Sequence, residues 1–131
     1  DQFSFPLQNP ILATRGSLDD LFAAKLIRSS SENKLVYSTY LGGDTPDVQE
    51  RAGDIAVDNS GNAYITGYVS GNRNGYLTRS LTGLTSSDFN GLAIIKLSST
   101  GVRSFGVVLG FAYPTGIVVD ANGNSYVSGF R

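Results

Sequence analysis

Short apolar runs alternate along this chain with breaks rich in Gly, Asn, Asp and Ser. The runs are Leu21-Phe22-Ala23-Ala24-Lys25-Leu26, Leu35-Val36-Tyr37-Ser38-Thr39-Tyr40-Leu41, Ile55-Ala56-Val57, Ala63-Tyr64-Ile65-Thr66-Gly67-Tyr68, Leu92-Ala93-Ile94-Ile95-Lys96-Leu97, residues 105–110, Ile117-Val118-Val119 and residues 125–130. Each is β-branched or aromatic in character and bounded by turn formers, the pattern of strands and not of helices. Eight strands are predicted, and the fold class is all-β.

The runs repeat. Residues 55–68 return without a gap as residues 117–130, Leu21–Leu26 corresponds to Leu92–Leu97, and residues 35–42 correspond more loosely to 105–110. In both copies an Asp-x-x-Gly-Asn element separates two strands: Asp58, Gly61 and Asn62 in the first, Asp120, Gly123 and Asn124 in the second. Asp can bond forward to the turn backbone and Gly accepts positive φ, so these six residues are predicted to be structural turn residues closing hairpins. Runs such as Ala93-Ile94-Ile95 and Ile117-Val118-Val119 are apolar at consecutive positions, which suits sheets covered on both faces. Four-stranded blades stacked around an axis meet that condition, with Gly67 and Gly129 admitting the neighbouring blade.

At Leu35-Val36-Tyr37-Ser38-Thr39-Tyr40-Leu41-Gly42-Gly43, Gly53-Asp54-Ile55-Ala56-Val57-Asp58 and Asn62-Ala63-Tyr64-Ile65-Thr66-Gly67 the sequence resembles the bacterial SBBP family of β-propeller repeats. Phe5-Pro6-Leu7-Gln8-Asn9-Pro10 is similar to the proline-bearing linker of such repeats. The second copy departs from the pattern, with Phe111-Ala112-Tyr113-Pro114 in place of an acidic, Gly-rich connection. The resemblance implies a propeller in a secreted or surface-exposed bacterial protein and brings no catalytic residues.

Relative to that repeat unit the chain is permuted. Residues 1–20 are expected to be a linker, 21–43 a half-blade of the last two strands, 54–110 a full blade with a long loop at 69–90, and 116–131 a half-blade of the first two strands. About two blade equivalents cannot close a ring, and open strand edges invite pairing with another chain. The expected partners are other copies of the chain, building a ring or a filament, or the remainder of a longer propeller chain.

Composition narrows the chemistry. There is no Cys and no His, so the common thiolate and imidazole nucleophiles, bases and metal ligands are missing, and Ser has no His to activate it. The absent Met reads as a processed product or an excerpt. Ten basic against eleven acidic residues give a net charge of −1 with no charged run, so no nucleic-acid partner is expected. No stretch is apolar enough to suggest membrane insertion.

The acidic connection from Asp44 to Glu50 could gather oxygens for calcium, but solvated loop is the preferred reading and no cofactor is expected. In the long polar segment from Val69 to Asp88, Arg73, Asn74, Tyr76 and Arg79 form a candidate surface for a ligand or partner. The expected function is therefore a non-catalytic structural or protein-interaction module outside the cell or on its surface, self-associating through incomplete blades. The alternative is a lectin-like propeller that binds glycans.

Overall fold

The computed structural model describes residues 5–16, 18–72, 77 and 89–131. Among them lie eight strands: β1 (Leu21–Arg28), β2 (Asn33–Leu41), β3 (Arg51–Val57), β4 (Ala63–Val69), β5 (Gly91–Leu97), β6 (Arg103–Val108), β7 (Tyr113–Val119) and β8 (Ser125–Phe130). All are paired antiparallel. They form a two-stranded sheet β1-β2, a four-stranded sheet β3-β4-β5-β6 and a two-stranded sheet β7-β8. The all-β fold expected from the apolar runs is the one the chain adopts.

The central sheet is apolar on both faces because successive side chains of a strand point in opposite directions. Ala63, Ile65 and Val69 of β4 and Ala93, Ile95 and Leu97 of β5 pack with Leu21, Ala23, Tyr37 and Leu41 of the first hairpin. Tyr64 of β4 and Leu92 and Ile94 of β5 point the other way, onto Ile117, Val119 and Val127 of the last hairpin. Each large aliphatic side chain buried this way contributes about 1.5–3 kcal/mol. The continuous apolar runs are thus two interleaved faces, each covered by a hairpin.

The internal repeat extends to irregularities. Register shifts fall between Ala52 and Asp54 in β3 and between Pro114 and Gly116 in β7, and again between Lys25 and Leu26 in β1 and between Lys96 and Leu97 in β5. Such bulges interrupt the alternation of faces. For that reason β3 begins at Arg51 and β7 at Tyr113, ahead of the starts at 54 and 116 expected from the apolar pattern. Tyr113 and Pro114, read as part of a connection, open a strand; Pro is tolerated at a strand's beginning.

Part of the expected linker at 1–20 is bound into the fold. Gln8 and Leu12 bridge to Ser38 and Tyr40 along the outer edge of β2. The Gln8 and Ser38 amides donate to each other's carbonyls at 3.1 and 2.8 Å, and the buried Thr39 hydroxyl accepts from the Ile11 and Leu12 amides at 2.9 and 3.1 Å. Pro10 has no N–H to donate, so the contact stays a pair of bridges and does not become a strand.

Gly67 meets the expectation of close approach: a Cβ there would fall on the Leu21 side chain of the first hairpin. Gly129 does not, because the group crowding it is the Tyr113 carbonyl of its own hairpin partner, β7.

Candidate functional site

The two Asp turns are built alike. Asp58 Oδ1 accepts from the Ser60 and Asn62 amides at 3.0 and 2.9 Å, and Asp58 Oδ2 accepts from Asn62 Nδ2 at 2.8 Å. Asp120 Oδ1 accepts from the Asn122 and Asn124 amides, both at 2.9 Å, and its Oδ2 from Asn124 Nδ2 at 2.8 Å. Gly61 and Gly123 sit at φ of 77° and 83°, where a side chain would be strained. The Asn62 and Asn124 side chains, helped by these amides, hold both carboxyls below the ordinary aspartate range. Tyr126 donates to Asp120 Oδ2 at 3.1 Å, and this bond, together with the carboxylate's charge, pushes the phenol up.

A third turn of this kind has no Asp. Between β5 and β6, Ser98 Oγ accepts from the Thr100 and Val102 amides at 3.3 and 3.1 Å, and Gly101 lies at φ 91°. The spacing Ser-x-x-Gly is its only signal in the sequence.

The acidic connection is less solvated than expected. Glu50 is buried, and its Oε1 accepts from the Gly43 and Ser70 amides at 2.8 and 3.1 Å. Asp44 Oδ1 accepts from the Asn72 amide at 3.0 Å. These carboxylates fasten the connection between β2 and β3 to the end of β4, work a solvated loop would not do. Among the described residues no three His, Cys, Asp or Glu side chains gather closely enough to hold a metal ion, and no helix is long and apolar enough to cross a membrane.

The candidate surface residues Arg73, Asn74, Tyr76 and Arg79 lie outside the described residues. Within those described, the unsatisfied surface is at the sheet edges. β1 pairs on one side only, with β2, and β8 on one side only, with β7. Phe22 and Leu26 of β1 are exposed, as are Val118, Tyr126 and Phe130 of the last hairpin and Ile55 and Val57 of β3. Packing between the sheets buries Tyr37, Tyr64 and Tyr68, whereas Tyr126 and Phe130, on a strand that among the described residues pairs only with β7, are exposed.

Between β1 and β3 runs an open groove of about 350 Å³, lined by Phe22, Ala24, Gly53, Ile55 and Ile65 among others. At the rim of a separate pocket, Tyr68 and Tyr113 stack at 4.7 Å between ring centroids, and Tyr113 and Phe130 stack at 5.4 Å. Burial, and next the neighbouring Tyr113, raise the Tyr68 phenol. Arg51 and Gln49 border the same rim.

The carboxylates of Asp44, Glu50, Asp58 and Asp120 accept from backbone amides, and apolar side chains are exposed beside the strand edges.

Neither the curated proteins nor the solved structures give a match to the chain. Residues 36–72 match the family model SBBP, a beta-propeller repeat. The matched stretch runs from within β2, through the connection pinned by Glu50, β3 and the Asp58 turn, to the end of β4.

Proposed function

We propose that the chain is a non-catalytic β-propeller module, exported or displayed on the cell surface, that serves as a scaffold and self-associates through its two terminal hairpins. The observation carrying this reading is the pair of one-sided strands, β1 and β8, each flanked by exposed apolar side chains. Each hairpin is then half a blade, and the central sheet is a full one. Propellers close with about four to eight blades, so a ring of such two-blade units takes two to four copies, and a rotation that misses closure gives a filament. The non-catalytic part is supported by the missing His and Cys and by the assignment of Asp58 and Asp120 to turns.

Size-exclusion chromatography with light scattering tests the reading on the full 131-residue chain. Two- to four-copy species, or larger polymers, are expected at micromolar concentration. A folded monomer at every concentration up to millimolar overturns it.

The rim of Tyr68, Tyr113 and Phe130 beside Arg51 and Gln49 favours a second reading, carbohydrate binding, since stacked aromatic faces beside polar groups suit sugars. A glycan array decides it, and silence across the array removes it.

A further inference from the structure

We infer that the junction between copies is a composite four-stranded sheet in which β8 of one copy pairs with β1 of a second copy, in the register that β4 and β5 hold within the chain. The inference rests on the self-association reading and adds the partner's strand, its register and the contacts across the seam.

The template is internal. β4 and β8 are equivalent strands of the repeat, and so are β5 and β1. In the central sheet Ala63 faces Leu97, Tyr64 faces Lys96, Ile65 faces Ile95 and Val69 faces Gly91. Carried to the open edges, Ser125 faces Leu26 of the second copy, Tyr126 faces Lys25, Val127 faces Ala24, Ser128 faces Ala23 and Arg131 faces Asp20. The last pair sets opposite charges across the strands, a favourable cross-strand arrangement.

Three contacts within the chain have counterparts at this seam. Lys96 Nζ lies 4.7 Å above the Tyr64 ring; Lys25 would lie over Tyr126 in the same way. The Tyr64 hydroxyl donates to the Gly123 carbonyl at 3.4 Å, so that of Tyr126 would reach the Gly61 carbonyl of the second copy. Lys25 is already held beside that place, donating to the Ser99 carbonyl at 2.8 Å. Tyr68 stacks on Tyr113; at the seam Phe130 stands for Tyr68 and Arg51 of the second copy for Tyr113, an aromatic ring against a guanidinium.

The exposed apolar residues fall on matching sides. Ile117 and Val119 are covered in the chain by the face of the central sheet that carries Tyr64. Their equivalents Ile55 and Val57 are 52% and 63% exposed, and in the composite sheet Val118 and Tyr126 of the first copy cover them. The groove between β1 and β3 is the space the incoming hairpin fills.

The chain has no Cys, so paired Cys variants read the register directly. Two in-register double variants are Val127→Cys with Ala24→Cys and Ser128→Cys with Ala23→Cys. Adjacent antiparallel pairs alternate between wide and narrow spacing, so one of the two suits a disulfide. Controls are Val127→Cys with Ala23→Cys, shifted by one, and Val127→Cys with Leu26→Cys, shifted by two. After oxidation at least one in-register variant is expected to give covalent multimers on a non-reducing gel, in at least tenfold excess over either control.

Each variant is checked for native circular dichroism. Tyr126→Ala, a change at an exposed side chain, supplies a second measurement and is expected to weaken association by about tenfold or more while the monomer keeps its fold. Multimers by light scattering that crosslink only in the shifted variants, or in none, overturn the register and leave self-association standing. Monomers in every variant and in the parent chain overturn both.

Discussion

The central sheet and the two terminal hairpins are written with nearly the same residues and live in different surroundings. Tyr64 is 1% exposed and its repeat equivalent Tyr126 58%; Leu97 is fully buried and its equivalent Leu26 is 68% exposed. Local conformation is the same in both places, down to the bulges and the Asp turns. The difference lies in the neighbours. In a stacked repeat the sequence of a unit sets its strands and turns, and the presence of the next unit sets whether its side chains meet water.

The largest expected effect comes from breaking that contrast at its strongest point. Leu97→Ala should cost about 2–5 kcal/mol in urea unfolding, because it opens a cavity in a filled core. Leu26→Ala in dilute monomer should stay within roughly 0.5 kcal/mol. Equal losses would mean that the open hairpin is already covered in solution. Next in size are the turn glycines: Gly61→Ala and Gly123→Ala each force a side chain into left-handed backbone, at about 1–2 kcal/mol. Gly123 should be the more sensitive, since a Cβ there would come within 3.3 Å of the Tyr64 hydroxyl, whereas one at Gly61 would meet Lys25 Nζ and the Ser99 side chain only at an ordinary contact distance of 3.5 Å.

Smaller effects come from titration, and the sign follows from the direction of each shift. Asp58 and Asp120 have folded pKa values below the ordinary one, about 3.9. Their contribution is complete above that ordinary value and is lost as pH falls through the lowered folded values. Melting temperature followed downward from pH 5 should drop, and the double variant Asp58→Ala, Asp120→Ala should show a shallower acid limb from a lower plateau. The smallest change concerns Tyr126, whose phenol is raised by its bond to Asp120. That support is whole below the ordinary tyrosine value, about 10, and is lost as pH rises through the raised one. Tyr126→Phe should lower melting slightly at neutral pH and flatten the alkaline limb.

Much of this architecture was legible in the residues alone. Strands such as Ala63–Tyr68 and Leu92–Leu97 carry apolar side chains on both faces, and the spacing of Asp58, Gly61 and Asn62 states a turn whose hydrogen bonds the structure then supplies. Burial of Glu50 was not legible, because a carboxylate in an acidic stretch looks solvated until the fold brings to it the amides of Gly43, seven residues before it, and Ser70, twenty residues after it. The Ser98 turn escaped notice because Ser does the work of Asp there with a weaker signature. Exposure of Tyr126 and Phe130 was hidden for a different reason: pattern reports which way a side chain points, and their environment depends on whether another sheet stands there.

The short stretch holding Gln8 and Leu12 against β2 has a directional consequence. With that flank occupied, the first hairpin can accept a newcomer only along β1, and the proposed seam brings β8 of the last hairpin to it. Any polymer of this chain would therefore be polar, with chemically distinct tips, and a peptide spanning residues 113–131 should cap one tip and leave the other free to grow.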